Sequence, residues 1–186
     1  MVGLACIGIA LILGIGMRIA AAAGAVLVVV GLVLFEPWQL VVDQRVDEAA
    51  PVAAAPAAPA EPAPPAEPVV LARGELISHE HESSGSVVVV ELPDGSRVLR
   101  LEELTMSNGP DLHVWLTDAP VIEGRDGWGV FDDGRYVDLG DLKGNIGSSN
   151  YPLPPDVDLA QLSSVSVWCE RFAVSFAAAA LEPAPA

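Results

Sequence analysis

Three hydropathy patterns follow one another along the chain. From Val2 to Phe35 nearly every position is apolar, and Arg18 is the only charge. From Ala49 to Pro68 the residues are mostly Ala, Pro and Glu, without periodicity. From Leu71 to about Leu181 apolar and polar positions alternate with period two, which is the strand pattern.

Within that last stretch Ser86 to Leu92 is rich in β-branched residues. Leu92-Pro93-Asp94-Gly95-Ser96 holds the residues a hairpin turn requires. Arg97 to Glu102 alternates, with Leu99 and Leu101 on one face. Ser107-Asn108-Gly109-Pro110 marks another turn. Leu112, Val114 and Leu116 then share one face of a strand, and His113 and Trp115 take the other. Asp132-Asp133-Gly134 predicts a turn before a strand at Tyr136 to Leu139. Ser164 to Cys169 and Phe172 to Phe176 form a final strand pair. One short helical turn is expected near Asp158, with Leu159 and Leu162 apolar. The expected fold class is all-β: an antiparallel β-sandwich or barrel over residues 71–181. About 110 residues can bury an adequate core.

The N-terminal run predicts a single transmembrane anchor. As one helix, Val2 to Phe35 would extend about 50 Å, more than a hydrocarbon core of roughly 30 Å needs. Two spans would force a turn near Gly14, Gly16 and Arg18, where lipid cannot satisfy exposed backbone. The span is therefore placed at Ile19 to Phe35. Residues 1–18 are either a cytoplasmic segment or an extension preceding a start at Met17, since Met17-Arg18 itself supplies a charged n-region. Trp38 suits the membrane interface, and no small-residue cleavage site follows the apolar core closely. Arg18 on one side and Glu36, Asp43, Asp47 and Glu48 on the other put the N-terminus in the cytoplasm and the rest outside. Residues 36–70 are expected to form a juxtamembrane segment and a semi-rigid stalk. Residues 182–186 are expected to be a disordered tail.

Charge then narrows the function classes. The 186 residues carry a formal net charge of -16, with a sequence pI near 4.2. Such a chain repels phosphate backbones, so nucleic acid is excluded as a partner. The expected partners are the membrane and a redox or cell-surface protein. No nucleophile elbow, P-loop or dinucleotide fingerprint occurs, so nothing points to a hydrolase, a transferase or a nucleotide-binding enzyme.

Candidate chemistry centres on Cys169. It shares a strand face with Val165 and Val167, so it points inward. It is either a small buried hydrophobe, or a redox thiol or cofactor ligand. The only other cysteine, Cys6, lies in the apolar N-terminus, so the domain carries one thiol. His79-Glu80-His81-Glu82 puts two imidazoles on one strand face, with His113 as the only possible third; an exposed charged strand end is the simpler account, and no metal site is assigned. Asp126, Asp132, Asp133 and Asp138 lack the spacing of an EF-hand loop and read as solvated turn residues. Without a CxxCH motif, any haem would be held non-covalently.

Several of these segments resemble one family. Gly74-Glu75-Leu76, His81 and Ser84-Gly85-Ser86 are similar to its opening. The run from Ser107 through Leu116 is similar to its central signature. Val137 to Gly147, then Asn150-Tyr151 and Leu153-Pro154, follow in order, and Val165-Ser166-Val167-Trp168-Cys169-Glu170-Arg171-Phe172 resembles its terminal motif. This is the DM-thirteen domain family, also called the electron-transfer DM domain, and the anchor resembles that of its small bacterial members. The resemblance implies a β-sandwich and a role in electron transfer. The family cysteine, which maps to Cys169, is then a bare redox thiol or binds a group such as haem. His113, Trp115 and Trp168 are its expected neighbours, with His113 and Trp168 as candidate cofactor contacts. Val121 to Gly134 looks like a variable loop, and its sequence says nothing about activity.

Overall fold

The structure is a computed structural model that describes residues 18, 20–34, 38, 42–52 and 67–185. It divides into two compact units, Met1–Trp38 and Gln39–Ala186.

In the first unit residues 20–34 are helical. No helix among the described residues is long and apolar enough to cross a membrane. The structure therefore does not support the expected span, whose ends, Ile19 and Phe35, lie outside the described residues. Cys6 also lies outside them, as does most of the stalk, residues 53–66.

Among its described residues the second unit contains eleven strands: β1 (Arg45–Asp47), β2 (Val69–Glu75), β3 (Ile77–Ser78), β4 (Ser83–Glu91), β5 (Arg97–Met106), β6 (Leu112–Thr117), β7 (Tyr136–Asp141), β8 (Ile146–Leu153), β9 (Ser164–Cys169), β10 (Val174–Ala180) and β11 (Glu182–Pro183). They form a six-stranded sheet in the order β1-β8-β5-β4-β2-β11 and a five-stranded sheet in the order β3-β10-β9-β6-β7. Pairing is antiparallel except for β1, which runs parallel to β8. The six-stranded sheet is thus mixed, whereas the five-stranded sheet is purely antiparallel.

Alternation decides what lies between the sheets. Val87, Val89, Leu99 and Leu101 from the first sheet meet Leu112, Val114, Leu116, Val165, Val167, Ala177 and Ala179 from the second. Removing such apolar surface from water is the main stabilising term. The β4–β5 turn closes as its residues dictate. The amide of Gly95 donates to the Leu92 carbonyl at 2.8 Å, and the Asp94 carboxylate accepts from the Ser96 amide at 2.9 Å. In β4 a bulge falls between Ser84 and Ser86, and Gly85 takes φ 131 there. A Cβ on Gly85 would lie 2.8 Å from the Glu102 carbonyl oxygen, so the close approach requires glycine.

Several expected boundaries shift. Arg45–Asp47, placed in the juxtamembrane segment, is a strand of the domain. Asn145 is fully buried and holds that segment: its carbonyl accepts from the Gln44 amide at 2.7 Å, and its NH₂ donates to Asp43 at 3.0 Å and to the Met106 carbonyl at 2.7 Å. Lys143 pairs with Glu48 at 2.9 Å. At the other end Glu182–Pro183, inside the expected tail, pairs with Arg73 and Ala72 of β2. Near Asp158 the chain makes a single turn, with the Gln161 and Leu162 amides on the Asp158 carbonyl, and no longer helix, as expected.

Candidate redox site

Cys169 ends β9 on the inner face, opposite Leu112 of β6 and Val174 of β10. It is completely buried and forms no disulfide among the described residues. Burial pushes its thiol pKa up. Hydrogen bonds from the backbone N–H groups of Phe172 and Arg171 oppose this, and the charges of Asp111 and Glu80 add to it; the net shift is upward. The resting group is therefore a protonated S–H and not a nucleophilic thiolate. The β9–β10 turn that follows holds Ala173 at φ 48, a left-handed conformation that a non-glycine residue adopts at a cost of about 1 kcal/mol or more.

Haem, the group implied by the resemblance, does not fit at Cys169. The sulfur has no exposed surface. A cavity of about 590 Å³ is lined by residues of the β7 and Asp158 regions and not by Cys169. A smaller one of about 210 Å³ is lined by Asn108, Pro110, Asp111, Leu112 and Asp141, but not by Cys169.

The expected neighbours of Cys169 do not surround it. Trp168 is one residue earlier and so projects from the opposite face. Trp115 also projects there, from β6. Because Trp115 pairs with Ser166 and His113 with Trp168, the two indoles are diagonal neighbours within reach of each other. Their rings stack with centroids 5.0 Å apart, and Trp115 stacks on Tyr136 of β7 at 3.9 Å and 7°. Phe131 meets Trp168 edge-on at 6.3 Å. Trp115, Ala119, Phe131, Trp168 and Ala178 make a second buried cluster, with Val121 and Val130 packed against it.

The segment expected to be a variable loop is the lid of this cluster. The Asp118 amide donates to the Arg135 carbonyl at 3.0 Å and the Arg135 amide to the Asp118 carboxylate at 2.9 Å, closing its base. A 3-10 turn at Arg125–Gly127 leads to Trp128, whose carbonyl accepts from the Ser175 amide at 2.8 Å.

His79 joins this lid to the sheet, a correction to its expected place on an exposed strand end. The strand β3 stops at Ser78, and residues 79–82 bend away. His79 is buried; its Nε2 donates to the Ile122 carbonyl at 3.1 Å, which leaves Nδ1 of the neutral ring to accept from Ser175 Oγ at 2.8 Å. Ser175 accepts in turn from Ser166 at 3.0 Å. Burial pulls the His79 pKa below its ordinary value, only partly offset by the bond to Ile122. His81 lies instead against Phe176, ring centroids 4.2 Å apart. The two imidazoles thus serve different neighbours.

His113 faces outward into a group of acids. Its Nδ1 lies 3.1 Å from Asp138, and its Nε2 lies 3.7 Å from Asp111 and 3.6 Å from Asp141. Partial burial depresses its pKa, but the hydrogen bond that His113 donates to Asp138 and the charges of Asp138, Glu170 and Asp141 together outweigh burial and raise it. His113, Asp138 and Glu170 each bring one ligand atom within 4.8 Å of the others, a set a divalent cation could accept. Asp138 therefore differs from the exposed turn residues Asp126, Asp132 and Asp133.

A family model described as "Electron transfer DM13" matches residues 75–181. No curated protein and no solved structure matches the chain.

Proposed function

This chain belongs to the Electron transfer DM13 family, and on that premise we propose that its domain exchanges electrons through the Cys169 thiol. The observation that carries this reading is the setting of Cys169: the sole cysteine of the domain, completely buried in the core and free of any disulfide among the described residues. Transfer of one electron from the sulfur to the redox partner, with release of the thiol proton to water, would leave a sulfur radical that the surrounding core shields. A buried single thiol supports one-electron chemistry better than disulfide exchange, which requires an accessible thiolate. The lack of space at the sulfur favours the bare thiol over haem ligation. An electron-transfer domain also requires a redox partner.

The reading includes a single-pass anchor at Ile19 to Phe35, with the domain on the extracytoplasmic side. Its support is the apolar sequence and the position of Arg18. An oxidising compartment would make the burial of the lone thiol protective. A second reading is an interaction module in which Cys169 only fills the core; complete burial and the raised thiol pKa favour it.

The test uses the full chain in detergent. Visible spectra are recorded as purified and after haem addition, and the protein is then oxidised by one electron and examined by EPR. No haem uptake and a sulfur-centred radical that is absent from Cys169→Ser would support the thiol reading. No radical at sulfur would leave the interaction module standing, and haem uptake that Cys169→Ser abolishes would replace the bare thiol with a ligand.

A further inference from the structure

The molecule contains a second redox-capable assembly, on the opposite face of β9 from the thiol. We propose that Tyr136, Trp115 and Trp168 form an electron wire along the outer face of the five-stranded sheet, with Tyr136 as the port at which a one-electron donor delivers electrons. The inference rests on the electron-transfer reading of the domain, but not on Cys169 being its redox group.

Three observations carry it. The first is continuity. Tyr136 and Trp115 are nearly parallel at 3.9 Å, and Trp115 and Trp168 follow at 5.0 Å and 23°. Electron tunnelling falls off exponentially with distance, so two short steps between easily oxidised rings outrun one long jump. Beyond Trp168 stand Phe131 and then His79. Neither ring is readily oxidised, so the wire ends at Trp168. That residue is joined through the backbone to Cys169, one Cα–Cα step of about 3.8 Å away.

The second is insulation. Trp115 and Trp168 are 3% and 2% exposed, whereas Tyr136 is 45% exposed. One end of the ladder meets solvent and the rest lies under the lid formed by residues 118–135. Tyr136 also lines the 590 Å³ recess, which gives a donor a place to approach.

The third is the indole nitrogen of Trp115. It is buried and has no hydrogen-bond partner among the described residues. An unsatisfied buried donor costs about 1–3 kcal/mol and calls for an explanation. In a wire it has one. An indole radical cation normally loses its N–H proton to an acceptor and is trapped as the neutral radical. With no acceptor, Trp115 keeps its proton and charge and draws the next electron from Tyr136.

The electrons balance as follows. A one-electron oxidant, here the azide radical, takes an electron from Trp168 across the lid and is reduced to azide anion. Trp115 supplies one electron to Trp168, and Tyr136 supplies one to Trp115. Tyr136 releases its phenolic proton to water and becomes a neutral tyrosyl radical. A one-electron donor then reduces that radical, which regains a proton from water.

Pulse radiolysis of the full chain in detergent tests this, with the azide radical as the one-electron oxidant of tryptophan. The expected result is decay of the indole radical coupled to the rise of a tyrosyl radical, at a rate independent of protein concentration. Tyr136→Phe should lose most of the tyrosyl signal, and Tyr151→Phe, in the inter-sheet core, should leave it unchanged. Trp115→Phe keeps a ring in the stack but removes the oxidisable step, so transfer should be roughly tenfold slower or worse. Far-UV CD and urea midpoints confirm that each variant is folded, and Tyr136→Phe, at a half-exposed ring, gives a readout independent of the core. Transfer at the wild-type rate in Trp115→Phe, or a tyrosyl radical on Tyr151, would overturn the wire. Cys169→Ser should conduct normally. A sulfur radical without indole-to-Tyr136 transfer would refute only the wire, and transfer without a sulfur radical would refute only the thiol.

Discussion

Replacing Phe131 by alanine isolates what the lid over the second cluster contributes. Phe131 is completely buried, edge-on to Trp168 at 6.3 Å and beside His79 at 5.7 Å. Truncating a buried phenylalanine costs about 3–5 kcal/mol when the site cannot collapse. Here the side chain hangs from a loop that can relax toward the sheet, which places the expected cost at the low end, about 3 kcal/mol. The polar ties of the loop survive: Trp128 O to the Ser175 amide, Ile122 O to His79, and Asp118 to Arg135. The inter-sheet core is untouched, so the variant should fold with Trp168 newly exposed. Urea unfolding of the full chain in detergent measures the first effect, and acrylamide quenching of tryptophan fluorescence measures the second. Phe131→Leu, which retains most of the volume, should cost under about 1.5 kcal/mol. A Phe131→Ala protein within about 0.5 kcal/mol of wild type, the range of an ordinary surface change, would refute the packing argument. So would unchanged quenching, because the lid would then not be shielding the indole.

The two perturbed histidines should move stability with pH in opposite senses. His113 has a raised folded-state pKa, so its contribution is full below its unfolded value of about 6.5 and is lost as pH rises through the folded value. His79 has a lowered one, so its contribution is full above about 6.5 and is lost as pH falls toward the folded value. Urea midpoints should therefore show a larger deficit for His113→Asn at about pH 5 than at about pH 8, and the reverse for His79→Gln. Equal deficits at both pH values would contradict the assigned charge states. Asn145→Ala removes three hydrogen bonds from a fully buried amide, and should destabilise by about 2–4 kcal/mol. Hydrogen exchange should then show the amides of residues 44–48 unprotected while β4 and β5 stay protected.

Local chemistry explains which parts of the fold can be read from the chain. The Leu92–Ser96 turn is legible because Pro, Asp and Gly each meet a backbone requirement within five residues. The inward face of β6 and the inward direction of Cys169 are legible because strand alternation is strict. β8 is not: Gly147, Ser148, Ser149, Asn150 and Pro152 show no apolar alternation, and the segment becomes a strand because β5 and β1 pair on either side of it. β1 and β11 are shorter than any period that could announce them. The burial of His79 is illegible for a related reason. Its partners, Ile122 and Ser175, lie 43 and 96 residues away, and a charged-looking His-Glu-His-Glu run hides which member turns inward.

Alternation also carries a consequence for the site. Consecutive strand residues must leave on opposite faces, so Trp168 and Cys169 could never share a pocket. The expectation that Trp168, His113 and Trp115 gather round the sulfur conflicts with the very pattern that points Cys169 inward. Alternation says which side a residue takes, but not what covers that side. A strand face bearing His113, Trp115 and Trp168 could be bare, bound to a partner or roofed by the chain itself, and only Val121, Val130 and Phe131 among many acids and glycines mark the roof. Once that roof is in place, both faces of β9 are dry: a thiol seals into one and an aromatic ladder into the other. The strand backbone is then the shortest covalent link between them. The lid formed by residues 118–135 thus covers the aromatic ladder, and a change in its packing should reach Trp168 before it reaches Cys169.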